Sequence, residues 1–128
     1  MFSMRRLNVL VVEDDVDERA LYGYMLAAAG YKVQAVSNGL EALAGIQVNR
    51  PDVIVTDIQM PVLNGLDLIA AVRSNDELAD LPVVAITSFG EDIREEARAA
   101  GATDVLDKST EMERMREVID AAVSRSRN

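Results

Sequence analysis

Four short clusters in this chain of 128 residues combine side-chain types that together could do chemistry. Glu13-Asp14-Asp15, Asp57, Thr87-Ser88 and Asp107-Lys108 offer carboxylates, a further carboxylate, hydroxyls and an ammonium. Crowded carboxylates repel one another, and a divalent cation relieves them. Few oxygen ligands and open coordination positions favour Mg²⁺, which keeps several waters and bridges readily to phosphate. With the charge screened in this way, one carboxylate can attack phosphorus and become an aspartyl phosphate. A hydroxyl such as that of Thr87 and a point-charge amine such as that of Lys108 suit the phosphoryl oxygens. Lysine occurs only at positions 32 and 108 among 13 basic residues, so Lys108 is not simply the habitual cation of this chain.

These groups meet only if the fold gathers them. Short β-branched runs at 7–12, 32–36, 53–56 and 83–87, with a weak one at 104–106, predict five strands. Longer stretches between them show helical spacing: Leu21, Tyr24, Met25 and Ala28; Leu40, Leu43 and Ala44; Leu66, Ile69 and Ala70; Ile93, Ala97 and Ala100; Met115, Val118, Ile119 and Ala122. Gly30 and Gly101 fit left-handed helix ends. Ser88 with Glu91, and Thr110 with Glu113, fit capping boxes, while Ser37-Asn38-Gly39 fits a turn and helix start. Pro51 and Pro82 precede the third and fourth strands, where a missing donor is tolerated. Met25, Met112 and Met115 are expected in the core. Glu91, Asp92, Glu95 and Glu96 are expected on a solvated helix face, balanced by Arg94 and Arg98.

The pattern is (βα)5, an α/β chain with a doubly wound parallel five-stranded sheet covered on both faces. We expect a single domain over 1–128, with its core at about 5–124 and a tail or linker start at 124–128. Ligands of such sheets bind beyond the carboxyl ends of the strands, where the strand order reverses. All four reactive clusters follow a strand, those numbered one, three, four and five in chain order.

Composition narrows the chemistry further. Absence of Cys excludes disulfides, thiol catalysis and thiolate metal sites, and absence of His excludes histidine bases and His-ligated metals. A net charge of −9 argues against direct binding to nucleic acid or an anionic membrane. No run approaches a membrane span and the first residues make no secretory signal, so the cytoplasm is the expected compartment.

Leu10-Val11-Val12-Glu13-Asp14-Asp15, Thr56-Asp57-Ile58-Gln59-Met60-Pro61 with Asn64-Gly65, Ala85-Ile86-Thr87-Ser88, Gly101-Ala102 and Lys108 occur in that order. The set resembles the receiver domain of two-component response regulators, over about residues 5–124. That resemblance implies a flavodoxin-like sheet of order 2-1-3-4-5. It implies Asp57 as phosphoacceptor, with Glu13, Asp14, Asp57 and the backbone carbonyl of Gln59 around Mg²⁺, and Thr87 and Lys108 on the phosphoryl oxygens. It further implies a phosphohistidine donor on a histidine kinase or phosphotransfer protein, and a downstream protein or output domain as recipient of the signal. No turnover of an external substrate is expected.

Two positions depart from the family pattern. Val105 stands where an aromatic ring is usual in strand five, and its stiff χ1 torsion allows no comparable swing. Ser109 stands where a proline with a cis bond usually follows the lysine. A cis bond to a non-proline costs about 3–4 kcal/mol, so a trans Lys108–Ser109 bond and a displaced loop are expected. The phosphorylation site is thus intact, and the aromatic switch is not expected to operate. Gln59 and Phe89, each two residues beyond a site residue, are expected to flank the path of attacking water, with Phe89 slowing hydrolysis.

Each group also has an ordinary explanation: a helix cap for Glu13-Asp14-Asp15, a turn acid for Asp57, a helix start for Thr87-Ser88, a solvated cation for Lys108. Their joint placement at one sheet edge weighs against these. A binding module that ignores phosphate is the rival function. An aspartate-nucleophile phosphatase is remote, since such enzymes usually carry an acid where this chain has Gln59.

Overall fold

β-branched side chains crowd a helix but lie easily on a pleated strand, and the β-branched runs of this chain are its strands. In the computed structural model, which describes residues 6–88 and 90–126, they are β1 (Asn8–Val12), β2 (Lys32–Val36), β3 (Val53–Asp57), β4 (Val83–Thr87) and β5 (Asp104–Asp107). All pair in parallel in the order β2-β1-β3-β4-β5. The helices are α1 (Val16–Ala28), α2 (Gly39–Val48), α3 (Gly65–Ser74), α4 (Glu91–Ala100) and α5 (Met115–Ser126). From β1 the chain steps outward to β2 and then back across to β3, so the strand order reverses between β1 and β3.

Alternate residues of a strand face opposite sides, and the core divides accordingly. Leu10, Val12, Ile54, Val83 and Val105 face one side, with Ala42, Ile46, Leu68, Ile69, Val72 and Ala97 of α2, α3 and α4. Val9, Val11, Val53, Val55 and Leu106 face the other, with Tyr22 and Leu26 of α1 and Met115, Val118, Ile119, Ala122 and Val123 of α5. The central strands β3 and β4 are buried throughout, whereas β2 is an edge strand exposed at Lys32, Gln34 and Ala35.

Several expectations from periodicity are corrected. Leu21, Tyr24 and Met25 of α1 face solvent, Tyr24 at 76% exposure, and Ala28 is exposed as well; Tyr22 and Leu26 are the buried residues. In α2, Leu40 and Ala44 are exposed and Ala42 and Ile46 are buried. In α3, Ala70 is exposed, and Leu68 and Val72 join Ile69 in the core. Met115 is buried and Met112 half-buried, but Met25 is not core. The face of α5 is as expected, and on α4 Ala97 is buried between half-buried Ile93 and Ala100. Residues 124–126 continue α5 instead of forming a tail, while 127 and 128 lie outside the described residues.

Helix starts are fixed mainly by Asx side chains. Asp15 accepts from the N–H groups of Asp17 and Glu18, Asn38 from Glu41, and Asn64 from Asp67. The expected capping boxes do not form: α4 starts at Gly90 without a side-chain cap, and Glu111 precedes the 3-10 turn Met112–Arg114 without one. Gly30 and Gly101 do adopt the left-handed backbone, at φ of 101° and 116°.

Gly65 opens α3 directly beneath the end of β3, where an added Cβ would collide with the backbone carbonyl of Asp57 and the Cα of Ile58. Gly23, in the middle of α1, has nothing within 4 Å of an added Cβ. Gly65→Ala is therefore expected to lower stability in urea by about 1–3 kcal/mol, and Gly23→Ala to raise it by about 0.5–1 kcal/mol. Equal effects of the two substitutions would contradict this packing.

Candidate functional site

β1 runs into Glu13, whose N–H donates to the Val36 carbonyl of β2 at 3.1 Å. The edge strand thus carries the backbone of the first acid. The acidic run then divides. Asp15 caps α1, and the Glu13 side chain, 1% exposed, turns inward and accepts the Asp15 N–H at 3.1 Å. Asp14 stays exposed. Arg19 donates from Nη1 to the carbonyls of Glu13 and Asp14, at 3.0 and 3.4 Å, fixing the turn from the helix side.

Asp57 is the last residue of β3 and is 6% exposed. Its Oδ1 accepts the Gln59 N–H at 3.3 Å. Its Oδ2 accepts Lys108 Nζ at 2.8 Å. The same ammonium lies 3.4 Å from Glu13 Oε1 and 3.1 Å from Glu18 Oε1. The N–H of Lys108 donates to the Thr87 carbonyl at 2.9 Å, which ties the lysine to the end of β4. Asp57 is in register with Ile86, so Thr87, fully buried, lies one residue beyond it on the neighbouring strand. One carboxylate oxygen from each of Glu13, Asp14 and Asp57 lies within 4.8 Å of the other two. Three hard oxygen donors at this spacing fit a divalent cation such as Mg²⁺.

The expected site residues thus come together, and one was missed. Glu18 sits in the first turn of α1, three residues beyond Asp15. An acid at that position ordinarily needs no explanation beyond the helix dipole. Its partner Lys108 is 90 positions away, beyond the reach of local patterning. Gln59 is exposed beside Asp57, whereas Phe89 lies outside the described residues.

The two departures from the family pattern have local answers. Val105 is 1% exposed and packs in the core shared with α2, α3 and α4. The Lys108–Ser109 bond is trans, in keeping with the residue change. Ser109 donates both its N–H and its hydroxyl to Asp107 Oδ1, at 2.8 and 2.6 Å. A proline could supply neither. Glu111 accepts the Asp107 N–H at 3.0 Å and Arg94 Nη1 at 2.8 Å, so α4 is joined to the loop after β5. Hydrogen bonds from Ser109 hold the Asp107 carboxyl below its usual range.

On the other side of the site, Val62 and Leu63 both have φ of 62°. The left-handed region is unfavourable for a β-branched residue in particular. The Leu63 carbonyl accepts the Gly39 N–H at 3.3 Å, and Gly65 donates to the Ile58 carbonyl at 2.9 Å, so the strained loop is pinned at both ends.

Electrostatics follow from this crowding. Glu13 is pushed up from 4.5 to about 8, chiefly by burial, with Asp57 adding to the effect and the Asp15 N–H opposing it. Burial alone would lower Lys108, but Asp57, Glu18 and Glu13 outweigh it and hold the ammonium above the usual lysine range. The folded protein therefore keeps a proton on Glu13 that the unfolded chain releases near 4.5. Stability must fall as pH rises from there towards 8, by at most about 1.4 kcal/mol per pH unit. In chelator, the melting temperature is expected to drop between about pH 5.5 and about pH 8, and Glu13→Gln should remove most of the slope. Added Mg²⁺ should stabilise wild type more at the upper pH. A metal-free melting temperature that rises across that window would refute the assignment.

The comparisons with known proteins agree with this geometry. The profile of the response regulator receiver domain matches residues 9–120. The polar-differentiation response regulator DivK of Brucella anthropi is 34% identical over 113 residues, covering 88% of this chain and 92% of that protein. The transcriptional regulatory protein PrrA of Mycobacterium bovis is 41% identical over 102 residues, which make up 79% of this chain and 43% of PrrA. Among solved structures, the chemotaxis response regulator CheY4 of Vibrio cholerae superimposes with a TM-score of 0.80 at 32% identity, over 95% of this chain and 99% of its own. Among the described residues, no helix is long and apolar enough to cross a membrane.

Proposed function

Since this chain belongs to the response regulator receiver family, we infer that Asp57 accepts a phosphoryl group from a phosphohistidine on a histidine kinase or phosphotransfer protein. The observation that carries this reading is the Lys108 ammonium at 2.8 Å from a buried Asp57 carboxylate that shares an acidic cluster with Glu13 and Asp14. No histidine occurs in these 128 residues, so the donor lies outside them.

An Asp57 oxygen forms the new bond to phosphorus while the phosphorus–nitrogen bond of the donor breaks. The electron pair of that bond leaves with the imidazole, which then takes a proton. Lys108 and the Thr87 hydroxyl hold the phosphoryl oxygens as charge moves onto them. Glu13, Asp14, Asp57 and the Gln59 carbonyl would hold Mg²⁺, which when bound would supply positive charge against the carboxylates and the incoming phosphoryl group. Gln59, exposed beside Asp57, flanks the approach of the water that later removes that group. The protein is cytoplasmic, turns over no external substrate, and signals to a downstream protein or output domain without touching nucleic acid or membrane.

Signalling takes a route other than an aromatic switch. Val105 is fixed in the core, whereas Arg94 and Glu111 couple α4 to the loop that carries Lys108. Movement of Lys108 towards a phosphoryl oxygen pulls on that loop, and Glu111 passes the pull to α4.

Two measurements test this reading. Incubation with Mg²⁺ and a small acyl-phosphate donor should add one phosphoryl group by intact mass, and Asp57→Asn should abolish the gain. A wild-type protein that gains nothing would favour the phosphate-independent binding module. In amide spectra of the beryllofluoride form, α4 should shift in wild type and markedly less in Arg94→Ala. Equal α4 shifts in both would exclude the proposed route.

A further inference from the structure

Lys108 bonds three carboxylates, and one of them has no part in the chemistry above. Glu18 Oε1 accepts from Lys108 Nζ at 3.1 Å and from Tyr22 Oη at 3.2 Å. Tyr22 lies one turn further along α1 and is a buried residue, 5% exposed, in the core shared by α1 and α5. A hydroxyl anchored in the core therefore fixes the oxygen of Glu18 from below.

Phosphoryl transfer changes the other two partners. Asp57 becomes an acyl phosphate, and Glu13 belongs to the cation cluster. Of the three, Glu18 alone is neither the phosphoacceptor nor a member of the cation cluster. An ammonium on a four-carbon stem has many rotamers, and ordering it during the reaction raises the barrier. A second fixed partner orders it beforehand.

We propose that Glu18, held by Tyr22, is a positioning residue for Lys108 that keeps the ammonium aimed at Asp57 ahead of transfer. The inference rests on the phosphoacceptor reading of Asp57. Its sign is distinctive. If Glu18 acted only as one more negative charge near an anionic donor, removing it would speed phosphorylation. If it positions Lys108, removing it slows the reaction.

Lysine occurs only at 32 and 108, so lysine labelled with ¹⁵N at Nζ gives two ammonium signals, with exposed Lys32 as the internal reference. In metal-free protein, the Lys108 signal should be protected from solvent exchange in wild type, weakened in Tyr22→Phe, lost in Glu18→Ala, and largely kept in Glu18→Gln, whose amide oxygen can still accept. With Mg²⁺ and a small acyl-phosphate donor, Glu18→Ala should be phosphorylated roughly tenfold more slowly, with most of the rate restored in Glu18→Gln. A Glu18→Ala rate at or above that of wild type overturns the proposal, as does an unchanged Lys108 signal in that variant. A wild-type protein that takes no phosphoryl group strikes the phosphoacceptor reading instead. The metal-free signal then decides the positioning by itself: its loss in Glu18→Ala upholds it, and its retention refutes it.

Discussion

Carboxyl groups buried together set the terms for this molecule. Glu13 and Asp57 are brought within a few ångströms of Asp14 at the end of a closely packed sheet, where water screens them poorly. One ammonium, delivered from the far side of the sheet, answers them. That arrangement requires β1, β3 and β5 to end in register and requires β4 to hold the lysine backbone at Thr87. The parallel sheet is therefore as much an electrostatic scaffold as a hydrophobic one. Its two apolar faces fix the strands, and their fixed ends keep opposing charges at bonding distance.

The strands were legible because β-branched residues cluster nowhere else in such runs, and the acids showed themselves by following them. Strand ends were blurred by one residue where polar groups belong to the strand itself, as with Asp57 and Asp107. Helix faces were legible where a single apolar stripe exists, as on α5. On α1 apolar side chains go right around the helix, so Leu21 and Tyr24 satisfy the spacing as well as Tyr22 and Leu26 do. Only contact with the sheet selects between the two sets. Helix starts at Asn38 and Asn64 are capped by single side chains, whereas the two boxes read from Ser88 and Thr110 do not form, because the cap positions fall on Gly90 and Glu111 instead. Glu18 was invisible because its meaning comes from Lys108 and from a tyrosine hydroxyl. The left-handed Val62 and Leu63 contradict their own residue preferences and follow from the surrounding bonds.

The departures from the family pattern were visible in the sequence, but their compensation was not. Removing a proline loosens a loop unless something replaces the constraint. Here Asp107, Ser109, Glu111 and Arg94 replace it with hydrogen bonds that converge on two carboxylates. The rigidity around Lys108 is thus supplied by polar contacts instead of a ring. Such contacts respond to charge, whereas a proline does not.

This set of contacts also bears on how the loop can change over generations. Ser109 is useful because Asp107 accepts from it, and Glu111 because Arg94 and the Asp107 N–H both reach it. Exchanging Ser109 for the proline usual in the family removes both of its bonds to Asp107 Oδ1. Asp107, Ser109, Glu111 and Arg94 therefore make one connected support, in which a change at Asp107 or Glu111 reaches two of the others at once.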